Sequence, residues 1–357
     1  MKVAYVAGVH SEFIVRELGW DHFPIKEIEP ESFSSQFKGF VVIVAVGTDV
    51  SELTLLRKLP EKSVFVHLYA DETYHPRLNL KLIKCKSIRG VIRSYSISNK
   101  GLIHLESTYL KGVKLNFRLK HTRKVFRYLW SLLAGQTLLL RQYFVFWIHK
   151  FYKVQSIDFV PGYTNLFART LSQLIGLGTL RESLLRNKDV SDYVSNSVRS
   201  FKFFFIGQSG NYWRRYAIDS LQHSEFRSSS VITVRDSFGG TLGANGASIE
   251  SGQEYVSGLL NSQVSICPPG NYSSSTFRYL ESVICGAIPA IAEGIPTDAL
   301  FRAPFGPQET CKWARWEDLI RDCEHLEEEN RELLVKKARN EALEFIESFT
   351  ERNLITP

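Results

Sequence analysis

Short apolar runs separated by polar, turn-rich stretches recur along this chain, and most are too short to be helices. Runs of roughly four to eight residues, rich in β-branched and aromatic side chains and closed by Gly, Pro or Ser, are the pattern of strands buried on both faces. In the first half KVAYVAG (2–8), FVVIVAVG (40–47), SVFVHLYADETYH (63–75), GVIRSY (90–95) and IDFVPGY (157–163) read this way. In the second half the pattern recurs in FKFFFIG (201–207), SSVITVRDS (229–237), VSICP (264–268) and AIPAIA (287–292). Helical spacing falls between them, around 11–18, 50–58, 254–262 and 275–285, and in the segment after Gly207. Strand and helix in alternation predict an α/β protein with parallel sheets.

The densest part of this pattern is 254–296, which reads as helix, strand, loop, helix, strand. Tyr255, Leu259 and Leu260 share one face of its first helix, and Pro268-Pro269-Gly270 closes the strand with a turn. Ser273, Ser274 and Ser275 offer N-cap oxygens for the next helix. Gly286 stands where that helix needs a left-handed residue to end. Ligands of open α/β sheets bind beyond the carboxyl ends of the strands, and a helix N-terminus with free N–H groups suits a phosphate. Gly270 permits close backbone approach. Arg278 and Glu281, three apart, share a helix face, so the arginine can neutralise a diphosphate while the carboxylate accepts from two ribose hydroxyls. A surface ion pair with serines that merely cap is the other reading of the same residues.

The pattern S-x-V-x-I-C-P-x-G, then S-x-x-x-R-x-x-E, then G-x-I-P resembles the exostosin-like glycosyltransferases, through Ser274, Arg278, Glu281, Gly286, Ile288 and Pro289. Ala290 stands where that family's motif closes on valine, and the resemblance is strongest over about 200–295. It implies the GT-B architecture, two Rossmann-like domains facing a cleft with a C-terminal helix packing back. It also implies an inverting, metal-independent transfer from a nucleotide-diphosphate sugar, with uracil as the family's usual base. No D-x-D motif for a metal appears, and no cofactor is expected. Gly207, followed by Gln208 and the helix carrying Arg214 and Arg215, is similar to the family's F-x-G-and-arginine donor element. With Pro269, Gly270, Ser274, Ser275, Arg278 and Glu281 it makes up the expected donor site. On the acceptor side the resemblance implies the Asp71-Glu72 pair, the R-x-Y element Arg93 and Tyr95, and Tyr163 of IDFVPGYTNLF (157–167), which is similar to the family's P-x-G-Y segment. The candidate bases are Asp71 and Glu72 at the end of the third run and His10 just past the first, whose near-neutral pKa suits proton transfer. Solvated loop and turn positions are the plainer reading of all three.

The 357 residues allow two ordinary domains, divided near 190–200: an acceptor-side domain (1–195) and a nucleotide-sugar domain (196–357) ending in a long helix over 317–349. Hydrophobic content of 44% and charged content of 23% are globular values. Five cysteines without a C-x-x-C pair suggest reduced, buried thiols and a cytoplasmic protein. No apolar run reaches the ~20 residues of a membrane span. A net charge of +7 implies an anionic partner.

Residues 100–153 interrupt the first domain with an insert rich in Arg, Lys and aromatics, including Arg118, Lys120, Arg123, Lys124 and Arg127. Two amphipathic helices on an anionic membrane, the inner face of the plasma membrane, fit this composition. Helices packed on the core, or a nucleic-acid patch, are the alternatives. The function expected from all this is a glycosyltransferase acting on a glycan or lipid-linked acceptor, in the assembly of a bacterial surface glycan. A non-catalytic relative that binds a glycan or anionic surface, or a nucleic-acid-binding α/β protein, is the other outcome.

Overall fold

The structure is a computed structural model. It describes residues 3–6, 15, 22–25, 41–45, 56–68, 76–93, 144–145, 147–148, 150–152, 155–158, 164–175, 199–208, 212–234, 249–268, 277–292, 312–313, 316–324, 329, 331–336 and 340. The chain divides into two compact units: residues 1–99, 140–161 and 348–357 form the first, and 100–139 and 162–347 the second.

The first unit is built on six parallel strands, β1 (Val3–Val6), β2 (His22–Ile25), β3 (Val41–Ala45), β4 (Val64–Leu68), β5 (Ile88–Arg93) and β6 (Gln155–Asp158). Their order is β2-β1-β3-β4-β5-β6. β4 is buried along its whole length, as a strand covered on both faces must be. Two elements depart from the sequence reading. β2 carries Pro24, which cannot donate to a ladder, and it is tolerated because β2 is an edge strand. The run 63–75 yields only a five-residue strand, and helix α1 (Pro76–Ile83) starts directly beyond it. Proline at a first helical position costs nothing, because that N–H has no intrahelical partner. Leu78 and Leu82 anchor α1 with 4% and 1% exposure.

The second unit carries β7 (Phe201–Gly207), β8 (Val231–Val234), β9 (Ser262–Ile266), β10 (Ile288–Ala292) and β11 (Lys312–Trp313). They are parallel, in the order β11-β10-β9-β7-β8. Its helices are α2 (Asn165–Ile175), α3 (Tyr212–Gln222), α4 (Ile249–Leu260), α5 (Phe277–Ile284) and α6 (Trp316–Glu324). The core is the aromatic run Phe203, Phe204 and Phe205 of β7 with Val256, Leu259, Ile266 and Leu280, all fully buried. Numbered within the unit, the strand order is 2-1-3-4-5. This is a doubly wound order whose connections reverse direction between the first and third strands. The first unit has the same order with a sixth strand added.

α5 ends as expected. Gly286 has φ 72°, and the Ala287 and Gly286 N–H groups donate to Ser282 O (2.9 Å) and Val283 O (3.0 Å), a Schellman closure. Guanidinium groups reinforce this end: Arg199 donates to Cys285 O at 2.7 Å and Arg331 to Gly286 O at 2.9 Å. Both place positive charge at the negative end of a helix dipole.

The boundary placed near 190–200 from composition differs from the division in the structure, where α2 already belongs to the second unit. The reason is packing. α2 crosses α4 so closely at Gly252 that a Cβ there would stand 2.5 Å from Thr170 Oγ1 and 3.0 Å from Leu166 Cδ1. In the last expected helix, α6 and residues 331–336 are helical; the stretch beyond residue 340 lies outside the described residues.

Candidate functional site

The site follows from the strand order. Where two neighbouring parallel strands send their connections to opposite faces of a sheet, a crevice opens beyond their carboxyl ends. In the second unit those strands are β7 and β9. Arg278, on the first turn of α5, spans their ends: its Nη2 donates to Ile206 O at 2.5 Å and its Nη1 to Ile266 O at 3.4 Å. Its guanidinium lies over the Phe205 ring, 4.6 Å from the centroid. Arginine suits this place because its planar group stacks and donates in its own plane at once.

Gly207 closes β7 against that guanidinium, and a Cβ on it would lie 2.9 Å from Arg278 Nη2. Any side chain here would press the arginine out of the crevice mouth. Two of the five guanidinium N–H groups are used by the strand carbonyls, and Nε is buried with no hydrogen-bond partner among the described residues. Gln208 follows, half-buried, and α3 begins four residues later with Arg214 half-buried and Arg215 exposed.

Glu281 lies one turn along α5 from Arg278, but it points into the protein, with 2% exposure. Its Oε1 accepts from Thr164 N and Thr164 Oγ1, both at 2.8 Å, and its Oε2 from the Tyr255 hydroxyl at 2.7 Å. Thr164 is the N-cap of α2: its Oγ1 also accepts from Phe167 N at 3.2 Å, and its carbonyl starts the helix by accepting from Ala168 N. Glu281 therefore places a carboxylate at the positive end of α2, where a helix dipole favours it. Burial raises its pKa above the ordinary value of 4.5, opposed by the three hydrogen bonds and the nearby Arg278 charge. Burial, together with the carboxylate beside it, raises Tyr255 well above 10. The Tyr255 ring is held edge-on to Phe204 at 5.4 Å.

Of the residues expected at the donor site, Gly207, Arg278 and Glu281 thus meet around the ends of β7 and β9. Arg278 holds the ends of β7 and β9, while the Glu281 carboxylate ties α5 to α2 and α4. Sequence reasoning missed Thr164 as a site partner, and no local signal could supply it, since it lies 117 positions from Glu281. Tyr255 lies on the apolar face that the sequence pattern predicts, with 7% exposure, and is a hydrogen-bond partner as well. His10, Asp71, Glu72, Tyr95, Tyr163, Pro269, Gly270, Ser274 and Ser275 lie outside the described residues, as does the side chain of Arg93.

Cys85, Cys267, Cys285 and Cys323 are buried thiols. Burial pushes Cys267 up to about 11 and Cys323 to about 12, so neither is a poised nucleophile. Among the described residues no three His, Cys, Asp or Glu side chains gather as a metal site, and no helix is long and apolar enough to cross a membrane. Comparison of the chain with protein-family models, curated proteins and solved structures returned no match.

Proposed function

We propose that the chain is a glycosyltransferase of the GT-B type that takes a nucleoside-diphosphate sugar, with uridine the first nucleoside to test. The observation that supports this most is Arg278, a guanidinium held across the carboxyl ends of the two switch-point strands. An arginine there, with a strand–turn–helix beside it, suits a diphosphate that carries two negative charges and must leave as an anion. Two successive doubly wound units in one chain agree with a donor half and an acceptor half.

In the proposed reaction a hydroxyl of a glycan or lipid-linked acceptor attacks the anomeric carbon. A new carbon–oxygen bond forms as the bond to the diphosphate breaks, and a base takes the hydroxyl proton. Asp71, Glu72 and His10 are the candidates for that base. Arg278, with Arg214 or Arg215, stabilises the charge that develops on the departing diphosphate, so no metal is called for in this reading. Glu281 acts indirectly: it fixes α5, and with it Arg278, against α2.

The test is calorimetric titration with UDP, GDP, CDP and ADP on the wild type and on Arg278→Gln. One nucleotide should bind with a Kd on the order of micromolar, and the variant should weaken it at least about tenfold. If no nucleotide binds, the proposal fails.

A further inference from the structure

The helical residues between 144 and 151 have an inward and an outward side. Val145 and Ile148 are buried in the first unit, with 0% and 6% exposure. Phe144, Trp147 and Phe151, at helical spacings of three and four, stand out on another face with 48%, 57% and 79% exposure. Tyr152 follows at 49% and meets Phe151 edge-on at 5.2 Å. Soluble surfaces carry single exposed apolar side chains routinely, but contiguous aromatic rings at helical spacing mark a contact surface.

The sequence that leads into and out of this face is basic. From Ser107 to Ile157 there are seven Lys or Arg between Lys111 and Arg127, then Arg141, Lys150 and Lys153, ten in all, with no Asp or Glu. The whole chain, by contrast, holds 44 basic and 37 acidic residues. Lys150 is exposed and holds its ammonium over the Trp147 ring, 5.2 Å from the centroid. Trp and Tyr favour the headgroup level of a bilayer, Phe the acyl boundary, and a basic surround the anionic headgroups.

We propose that the Phe144–Trp147–Phe151 face docks on an anionic lipid surface, with the rings entering the headgroup layer and Lys150 among them meeting the anionic headgroups. A single-stranded nucleic acid also uses rings and cations, but it needs the cations interleaved with the rings to follow its phosphates. Among the described residues of this face Lys150 is the one cation beside four exposed rings. The inference does not rest on the nucleotide site, which lies in the other unit.

The experiment is flotation of the full chain with phosphatidylcholine vesicles with and without phosphatidylglycerol, for the wild type, Phe151→Ser and Trp147→Ser/Phe151→Ser. The exposed positions leave the core intact, which circular dichroism checks. The wild type should float with the anionic vesicles alone and detach at high salt. The double variant should partition on the order of tenfold more weakly, and Phe151→Ser in between. Equal flotation of the wild type and the double variant would overturn the proposal, as would a wild type that ignores anionic vesicles. Gel filtration showing a dimer that only the variants break would assign the face to a second copy. Loss of oligonucleotide binding in the variants, with flotation unchanged, would assign it to nucleic acid.

Discussion

Replacing Glu281 separates what its charge does from what its shape does. Glu281→Ala leaves the Tyr255 hydroxyl and both Thr164 donors without an acceptor in a buried place. Hydrogen bonds to a charged group contribute about 1.5–3 kcal/mol each, so three bound the gross loss at roughly 4–9 kcal/mol. Deleting the carboxylate also removes its desolvation cost, which the raised pKa reports. The expected net loss is about 3 kcal/mol. Glu281→Gln keeps an oxygen for Thr164 and turns an amide N–H toward the Tyr255 oxygen, so its expected cost is under about 1 kcal/mol.

The two variants also differ from the wild type in pH dependence, with a sign that can be worked out. A carboxyl whose folded pKa is raised binds its proton more tightly in the folded state. Its contribution is therefore fully present below the unfolded value near 4.5 and is lost as pH rises through the folded pKa. Urea unfolding at a series of pH values, wild type against Glu281→Gln, isolates this group because all others cancel in the difference. The wild type should lose stability relative to the glutamine variant as pH climbs above 4.5. A glutamine variant as damaged as the alanine one, or a difference that ignores pH, would refute the reasoning.

Other consequences follow from the same geometry. Gly207→Ala should weaken nucleotide binding several-fold with little change in the urea midpoint, because its Cβ crowds the Arg278 guanidinium at 2.9 Å and meets the core ring of Phe205 only at ordinary contact distance, 3.4 Å. Gly252→Val should cost about 1–3 kcal/mol in urea unfolding, since the added carbons strike Thr170 and Leu166 where α2 crosses α4. Arg199→Ala should cost about 2 kcal/mol by the same measurement, through the lost hydrogen bonds to Leu259, Ser262 and Cys285 carbonyls. A thiol reagent at pH 8 should leave Cys85, Cys267, Cys285 and Cys323 unmodified in the native protein and react with them in urea, since all four are buried.

The buried strands were legible because parallel sheets covered on both faces write themselves as apolar runs, as FKFFFIG does in β7. Gly286 was legible because a left-handed helix end favours one residue type strongly. β2 escaped notice because four residues with a proline carry almost no strand signal, and α1 because the run before it merged strand and loop. Arg278 could be placed at a strand-to-helix junction by spacing alone. The inward turn of Glu281 could not, because it depends on Thr164 and Tyr255 arriving from separate elements. Strand order, which makes the ends of β7 and β9 a crevice, is likewise a property of the assembled sheet.

Hydrogen exchange with and without a saturating nucleoside diphosphate locates the ligand directly. Binding at the switch point of the second unit predicts slowed exchange at the end of β7 and the start of α3, around 206–214, and from the end of β9 into α5, around 266–280. Protection confined to other segments, with these two unchanged, would contradict the central claim.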